Sequence, residues 1–105
     1  MALTRDFKET IKARVERDPG FRRALLARAA QAMLAGETDV GKTMLRDYIN
    51  ATVGFQSLGA DIDKPPESLM RMLSETGNPR TNNLMEIFEY LQQAEGIRLK
   101  VKPMQ

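Results

Sequence analysis

The chain has 105 residues, enough for one hydrophobic core, and no Gly/Ser-rich or Pro-rich linker divides it, so a single domain is expected. It contains no Cys and no His, which excludes disulfides, thiol nucleophiles, thiolate or imidazole metal sites and the commonest general base near neutral pH. The net charge is only +2 but unevenly spread: residues 1–28 carry eight Lys/Arg against four Asp/Glu, whereas over residues 55–83 Lys64, Arg71 and Arg80 are outnumbered by Asp61, Asp63, Glu67 and Glu75.

With 42% hydrophobic residues, 6% aromatic and no Trp, the core should be built from Leu, Ile, Val, Ala and Met. The Met residues serve as adaptable filler, with Met70 as the one expected to be exposed for contact. No run approaches the roughly 18 apolar residues of a membrane span, and residues 1–6 lack the apolar region of a signal peptide. A soluble, cytoplasmic protein without a membrane partner is therefore expected.

The first helix is predicted to follow Thr4 as cap, with Phe7, Ile11 and Val15 on a narrow apolar stripe. Asp18 and Pro19 restart the chain, Asp as cap and Pro at the first helical position, where its missing N–H costs nothing. The second helix carries Phe21, Leu25, Ala29 and Met33, widened by Leu26, Ala30 and Leu34, and should stop at Gly36. After the connection 36–39, residues Val40, Met44, Leu45, Tyr48, Ile49 and Val53 sustain a third helix to Gly54. Lys42, Arg46 and Asp47 fall among its polar positions and are read as a solvated face, and Tyr48 as a core-edge aromatic.

Residues 55–73, FQSLGADIDKPPESLMRML, have the spacing of two short helices joined by a tight turn. Leu58, Gly59 and Ile62 share one helix face, the pattern breaks at Asp63-Lys64-Pro65-Pro66, and Leu69, Met72 and Leu73 begin a second apolar face. A small residue at 59 lets the second helix cross close above the first, leaving Glu67, Ser68, Met70 and Arg71 outward, where a helix-turn-helix DNA reader needs its polar side. An ordinary helical hairpin has the same spacing. Residues 74–80 form a Gly/Asn/Pro loop, Thr81 can cap a last helix with Leu84, Ile87, Phe88 and Leu91 on its core face, and Gly96 should stop it. Residues 97–102 alternate apolar and basic, the pattern of a short half-buried strand that could pair with its symmetry mate or augment a partner's sheet.

Chemistry is sparse. Asp61 with Asp63, and Glu86 with Glu89, are read as solvent-facing charges on amphipathic helices rather than catalytic pairs. The glycines at 54, 59, 77 and 96 are too dispersed for a phosphate cradle, and Val40-Gly41-Lys42-Thr43 is not read as a P-loop. No catalytic residue, cofactor or metal is expected, and the chain is not read as an enzyme.

Surface recognition remains, and residues 58–73, LGADIDKPPESLMRML, resemble the helix-turn-helix of the Cro/phage-repressor (Xre-type) family. Gly77-Asn78-Pro79-Arg80, followed by Leu84, Leu91, Gly96, Leu99 and Val101, is similar to the end of small antidote proteins of bacterial toxin-antitoxin addiction modules. Leu3-Thr4-Arg5-Asp6-Phe7 and Leu45-Arg46-Asp47-Tyr48-Ile49-Asn50 look like related transcriptional regulators. The chain departs from the family in having Gly59 where Ala is usual and Asp63 where the turn usually has Gly. Gly59 keeps the close crossing, and Asp63 is among the few non-Gly residues that tolerate a left-handed backbone.

The resemblance implies an all-α, phage-repressor-like bundle of five or six helices, with an N-terminal helical extension (1–36), a helix-turn-helix core (38–96) and a short C-terminal β-strand (97–102). It implies a cytoplasmic homodimer that binds a double-stranded DNA operator, represses its own promoter and neutralises a small protein toxin. Base reading would fall to Pro66, Glu67, Ser68, Met70 and Arg71: Arg71 can donate two hydrogen bonds to guanine, Glu67 can accept from cytosine, Ser68 can serve bases or phosphate, and Met70 can contact a thymine methyl. Phosphates would meet Lys64, Arg80, Asn82 and Asn83, the last three near a helix N-terminus. Arg14, Arg17, Arg22 or Arg23 could add to these. For a basic toxin, the acidic patches or the C-terminal strand are better docking surfaces than the basic first 28 residues. Two other readings fit the same residues: a stand-alone DNA-binding regulator, and a helical protein-interaction module that has lost DNA binding, in line with the acidic balance of residues 55–83.

Overall fold

The computed structural model describes residues 12–104; the expected cap Thr4 and stripe residues Phe7 and Ile11 lie outside them. Among the described residues the chain is all-α. Its helices are α1 (12–17), α2 (Pro19–Leu34), α3 (Thr38–Ala51), α4 (Gly54–Ile62), α5 (Pro66–Met72) and α6 (Thr81–Glu95). No helix among them is long and apolar enough to cross a membrane.

The stops and starts follow local chemistry. Asp18 Oδ1 accepts from the Phe21 amide at 3.1 Å and Pro19 opens α2, as the Asp-Pro pair dictates. Gly36 at φ 82° and Gly96 at φ 74° turn the chain after α2 and α6 through the left-handed region that suits glycine. Two expected details differ. Thr81 is the first residue of α6 rather than its cap; Arg80 holds the cap position, and its side chain makes no capping bond. The third helix ends at Ala51, short of Val53, where Thr52 leaves helical geometry and its hydroxyl donates to the Tyr48 carbonyl at 2.7 Å.

The core is one cluster drawn from every helix from α2 to α6: Leu26 and Ala29; Leu45, Tyr48 and Ile49; Phe55 and Leu58; Leu69 with Leu73 just beyond its helix; and Ile87, Phe88 and Leu91. Each large apolar side chain buried there contributes about 1.5–3 kcal/mol relative to exposure. In α1, Val15 is fully buried and its carbonyl accepts from Arg22. Leu34 and Val40, expected inside by periodicity, are 71% and 43% exposed. Both sit at the α2–α3 corner, Leu34 as the last residue of α2 and Val40 in the first turn of α3.

The expected strand is absent among the described residues. Residues 97–100 keep the alternation, with Ile97 and Leu99 packed on the core and Arg98 and Lys100 exposed, but no neighbouring strand pairs with them. Their ties are to α6: the Ile97 amide donates to the Gln92 carbonyl at 3.0 Å and the Leu99 amide to Gln92 Oε1 at 2.8 Å. Alternation requires an extended chain with one apolar side, and a single chain on a helical core meets that requirement without a ladder.

Candidate nucleic-acid interface

Helices α4 and α5 meet through the three-residue turn 63–65. Asp63 stands at φ 57°, ψ 51°, the sole described non-Gly residue with positive φ, and the Lys64 amide donates back to the Gly59 carbonyl at 2.9 Å. A Cβ at Gly59 would lie 2.5 Å from the Lys64 carbonyl oxygen and 3.2 and 3.3 Å from two ring carbons of Pro66. The crossing is thus closed by contact between backbone and ring, and even alanine does not fit without displacing the turn. Leu58 below and Leu69 above are fully buried, so the two helices share one core.

The outward side of α5 carries Glu67, Met70 and Arg71, all exposed, with Ser68 half-buried beside them. The Arg71 side chain makes no hydrogen bond or ion pair among the described residues. Pro66 is different: its ring rests over Gly59 and is half-buried at the crossing. Lys64, Asn82 and Asn83 come together in one shallow depression with Met85, Glu86 and Glu89. Lys64 Nζ is 3.1 Å from Glu86 Oε1, so this cation already has a counter-ion. Arg80 is exposed and does not line that depression. Asp61 accepts a hydrogen bond from the Tyr90 hydroxyl, which ties α4 to α6 and raises the phenol above its ordinary pKa.

The C-terminal end of α5 is held from α3. Lys42 is 6% exposed and its ammonium donates to the Gly77 carbonyl at 2.7 Å and the Glu75 carbonyl at 3.3 Å, with Asp39 Oδ1 at 3.5 Å. Arg46 donates to the Leu73 carbonyl at 3.1 Å. Two cations therefore satisfy three carbonyls following a helix whose C-terminal dipole end favours positive charge. The solvated-face reading of Lys42 fails for a reason visible in its spacing. Lys42, Leu45 and Ile49 are three and four residues apart, which puts the lysine on the buried stripe.

Gly36 stands five residues before Gly41, so residues 36–43 do carry the G-x-x-x-x-G-K-T spacing of a P-loop, which reading residues 40–43 alone overlooks. The geometry is not that of a phosphate cradle. A helix rather than a strand precedes the segment, residues 38–43 are already helical, Gly41 packs against Met33, and the Lys42 ammonium is committed to the loop after α5.

A second network, also unforeseen, joins α2, α3 and α6. The Glu95 side chain is 5% exposed and takes Arg22 Nε at 2.6 Å and the Tyr48 hydroxyl at 2.7 Å on Oε1, with Arg23 Nε 3.5 Å from Oε2. Burial alone would raise its pKa, but the Arg22 and Tyr48 hydrogen bonds and the two guanidinium charges prevail and hold it below the ordinary carboxylate value. The same burial and the Glu95 contact push the Tyr48 phenol up. Arg14 lies 4.5 Å from the centre of the Phe21 ring and 3.7 Å from Asp18. Of the basic residues considered for phosphate contact in this region, Arg22 is thus largely withdrawn, whereas Arg17 remains exposed.

No family model, curated protein or solved structure matches this chain.

Proposed function

We propose that this chain is a sequence-specific DNA-binding regulator of phage-repressor-like helix-turn-helix type, with α5 as the helix that enters the major groove. The observation that carries this reading is the α4–α5 unit: a backbone-tight crossing at Gly59, a left-handed turn at Asp63, and an outward face on which Arg71 has no partner within the described chain. A rigid pair of helices presenting an uncommitted guanidinium is what bidentate reading of guanine needs. Ser68, Glu67 and Met70 flank it, while Pro66 acts by fixing the crossing and the start of α5. Asn82, Asn83, Arg80 and, after release from Glu86, Lys64 serve the phosphates.

In this reading the protein acts in the cytoplasm as a homodimer on a two-fold operator, binds rather than catalyses, and represses its own promoter. Its resemblance to antidote proteins extends the proposal to neutralisation of a small toxin encoded beside it. Co-purification of the neighbouring gene product separates that role from a stand-alone regulator. One observation favours a third reading, a protein-interaction module: Glu86 and Glu89 line the depression assigned to phosphates and one of them pairs with Lys64. Titrating the DNA upstream of the gene at two salt concentrations decides between them. A regulator binds that DNA over unrelated sequence with a negative salt slope, and an interaction module does not.

A further inference from the structure

We infer that residues 97–102 are a docking edge for a β-strand of another protein, one that carries carboxylates on alternate residues. The inference stands independently of DNA reading. In an extended chain the amide and carbonyl of one residue point to the same edge, and successive residues alternate between edges. The amides of Ile97 and Leu99 are both turned to Gln92 of α6. With the chain extended from Ile97, as its alternating burial requires, the amides and carbonyls of Arg98, Lys100 and Lys102 belong to the opposite edge; they make no hydrogen bond among the described residues. Ile97 and Leu99 fix residues 97–99 to the core, so a strand pairing with that edge starts on a chain already anchored there and extends along the exposed residues 100–102.

Charge selects the occupant. Arg98, Lys100 and Lys102 are exposed and have no ion pair among the described residues. If two copies paired antiparallel about a two-fold axis, each residue would face one of the same parity, because the axis preserves the faces of the ribbon. In the fully overlapped register Arg98 faces Lys102 and Lys100 faces its own copy on one face, and a shift of two residues still opposes Arg98 to Lys100 or Lys100 to Lys102; like charges directly opposed destabilise a strand pair. A strand with Glu or Asp at every second position puts opposite charges at those places, with its intervening apolar residues on the side of Ile97 and Leu99.

The test uses the full chain, isotopically labelled, titrated with a soluble peptide alternating Glu with Val or Thr and with the same peptide bearing Lys for Glu. The acidic peptide should bind at least tenfold more tightly and slow exchange of the Arg98, Lys100 and Lys102 amides while leaving that of Leu99 unchanged. K100P, which removes a free-edge amide at a position where an extended backbone accepts proline, should weaken binding tenfold or more. V101P, whose amide faces the other edge, should retain it, with the helical signal confirming that both variants are folded. The triple reversal R98E/K100E/K102E should transfer the preference to the Lys peptide. Absence of binding by the acidic peptide, equal affinity for the two peptides, or protection of these amides that grows with the chain's own concentration would overturn the inference.

Discussion

Arg22, Lys42 and Arg46 of α2 and α3 and the two arginines Arg71 and Arg80 have opposite fates. Arg22 is drawn onto the buried carboxylate of Glu95, and Lys42 and Arg46 onto carbonyls of the loop after α5, where they hold the bundle together. Arg71 and Arg80 are exposed and uncommitted. By count the first 28 residues look like the half of the molecule that meets phosphate, yet part of that charge is spent internally. The acidic stretch 55–83 keeps Arg71 and Arg80 available, while its third cation, Lys64, pairs with Glu86 just beyond it and one of its carboxylates, Asp61, accepts from Tyr90. Placement of charge, more than its sum, separates cations that hold the fold together from those left free at the surface.

The sharpest way to break the scaffold side is at Glu95. Glu95→Ala leaves Arg22 and the Tyr48 hydroxyl without their acceptor and should cost roughly 3 kcal/mol in urea unfolding. The wild type should also show an acid limb that the variant lacks. Because the folded-state pKa of Glu95 is depressed, its contribution is full above the ordinary carboxylate value of 4.5 and is lost as pH falls below that value and through the folded one. A pH series of midpoints for both proteins checks this, and parallel acid limbs would count against the network.

Next in size is Lys42→Met, which keeps the apolar stem and removes the donor to two carbonyls. About 2 kcal/mol is expected, together with faster amide exchange at residues 73–77. Gly59→Ala follows. Its methyl group would meet the Lys64 carbonyl 2.5 Å away, so an overpacking cost of about 1–3 kcal/mol should outweigh the gain of up to about 1 kcal/mol from replacing a helical glycine. A variant as stable as wild type would show that the turn yields. Arg71→Ala should fall at the other end of the scale, within about 0.5 kcal/mol in stability, since the side chain supports nothing in the fold.

These contrasts mark how far the sequence alone could be read. The left-handed Asp63 followed from the resemblance, which puts it where a turn glycine is usual, whereas the helices and the close crossing at Gly59 were legible because each is a local matter of spacing and small residues. The same holds for the outward side of α5, which is set by the apolar positions Leu69, Met72 and Leu73. The internal fates of Lys42 and Glu95 were not, because each depends on a partner 33 to 73 residues away along the chain. A charged residue on an apolar stripe signals only that some partner must exist. The strand at 97–102 failed differently: its alternation was real, but periodicity describes a chain with two unlike sides and says nothing of whether a neighbour completes the ladder.

The most direct test of the reading surface is a titration of the gene's upstream DNA with wild type and Arg71→Ala at two salt concentrations. Wild type should bind that DNA specifically, with Arg71→Ala weaker by about 1–3 kcal/mol and less selective for one base pair. Equal binding by the two proteins would remove Arg71 from base reading, and no specific binding by wild type would contradict the assignment of α5 as a DNA-reading helix.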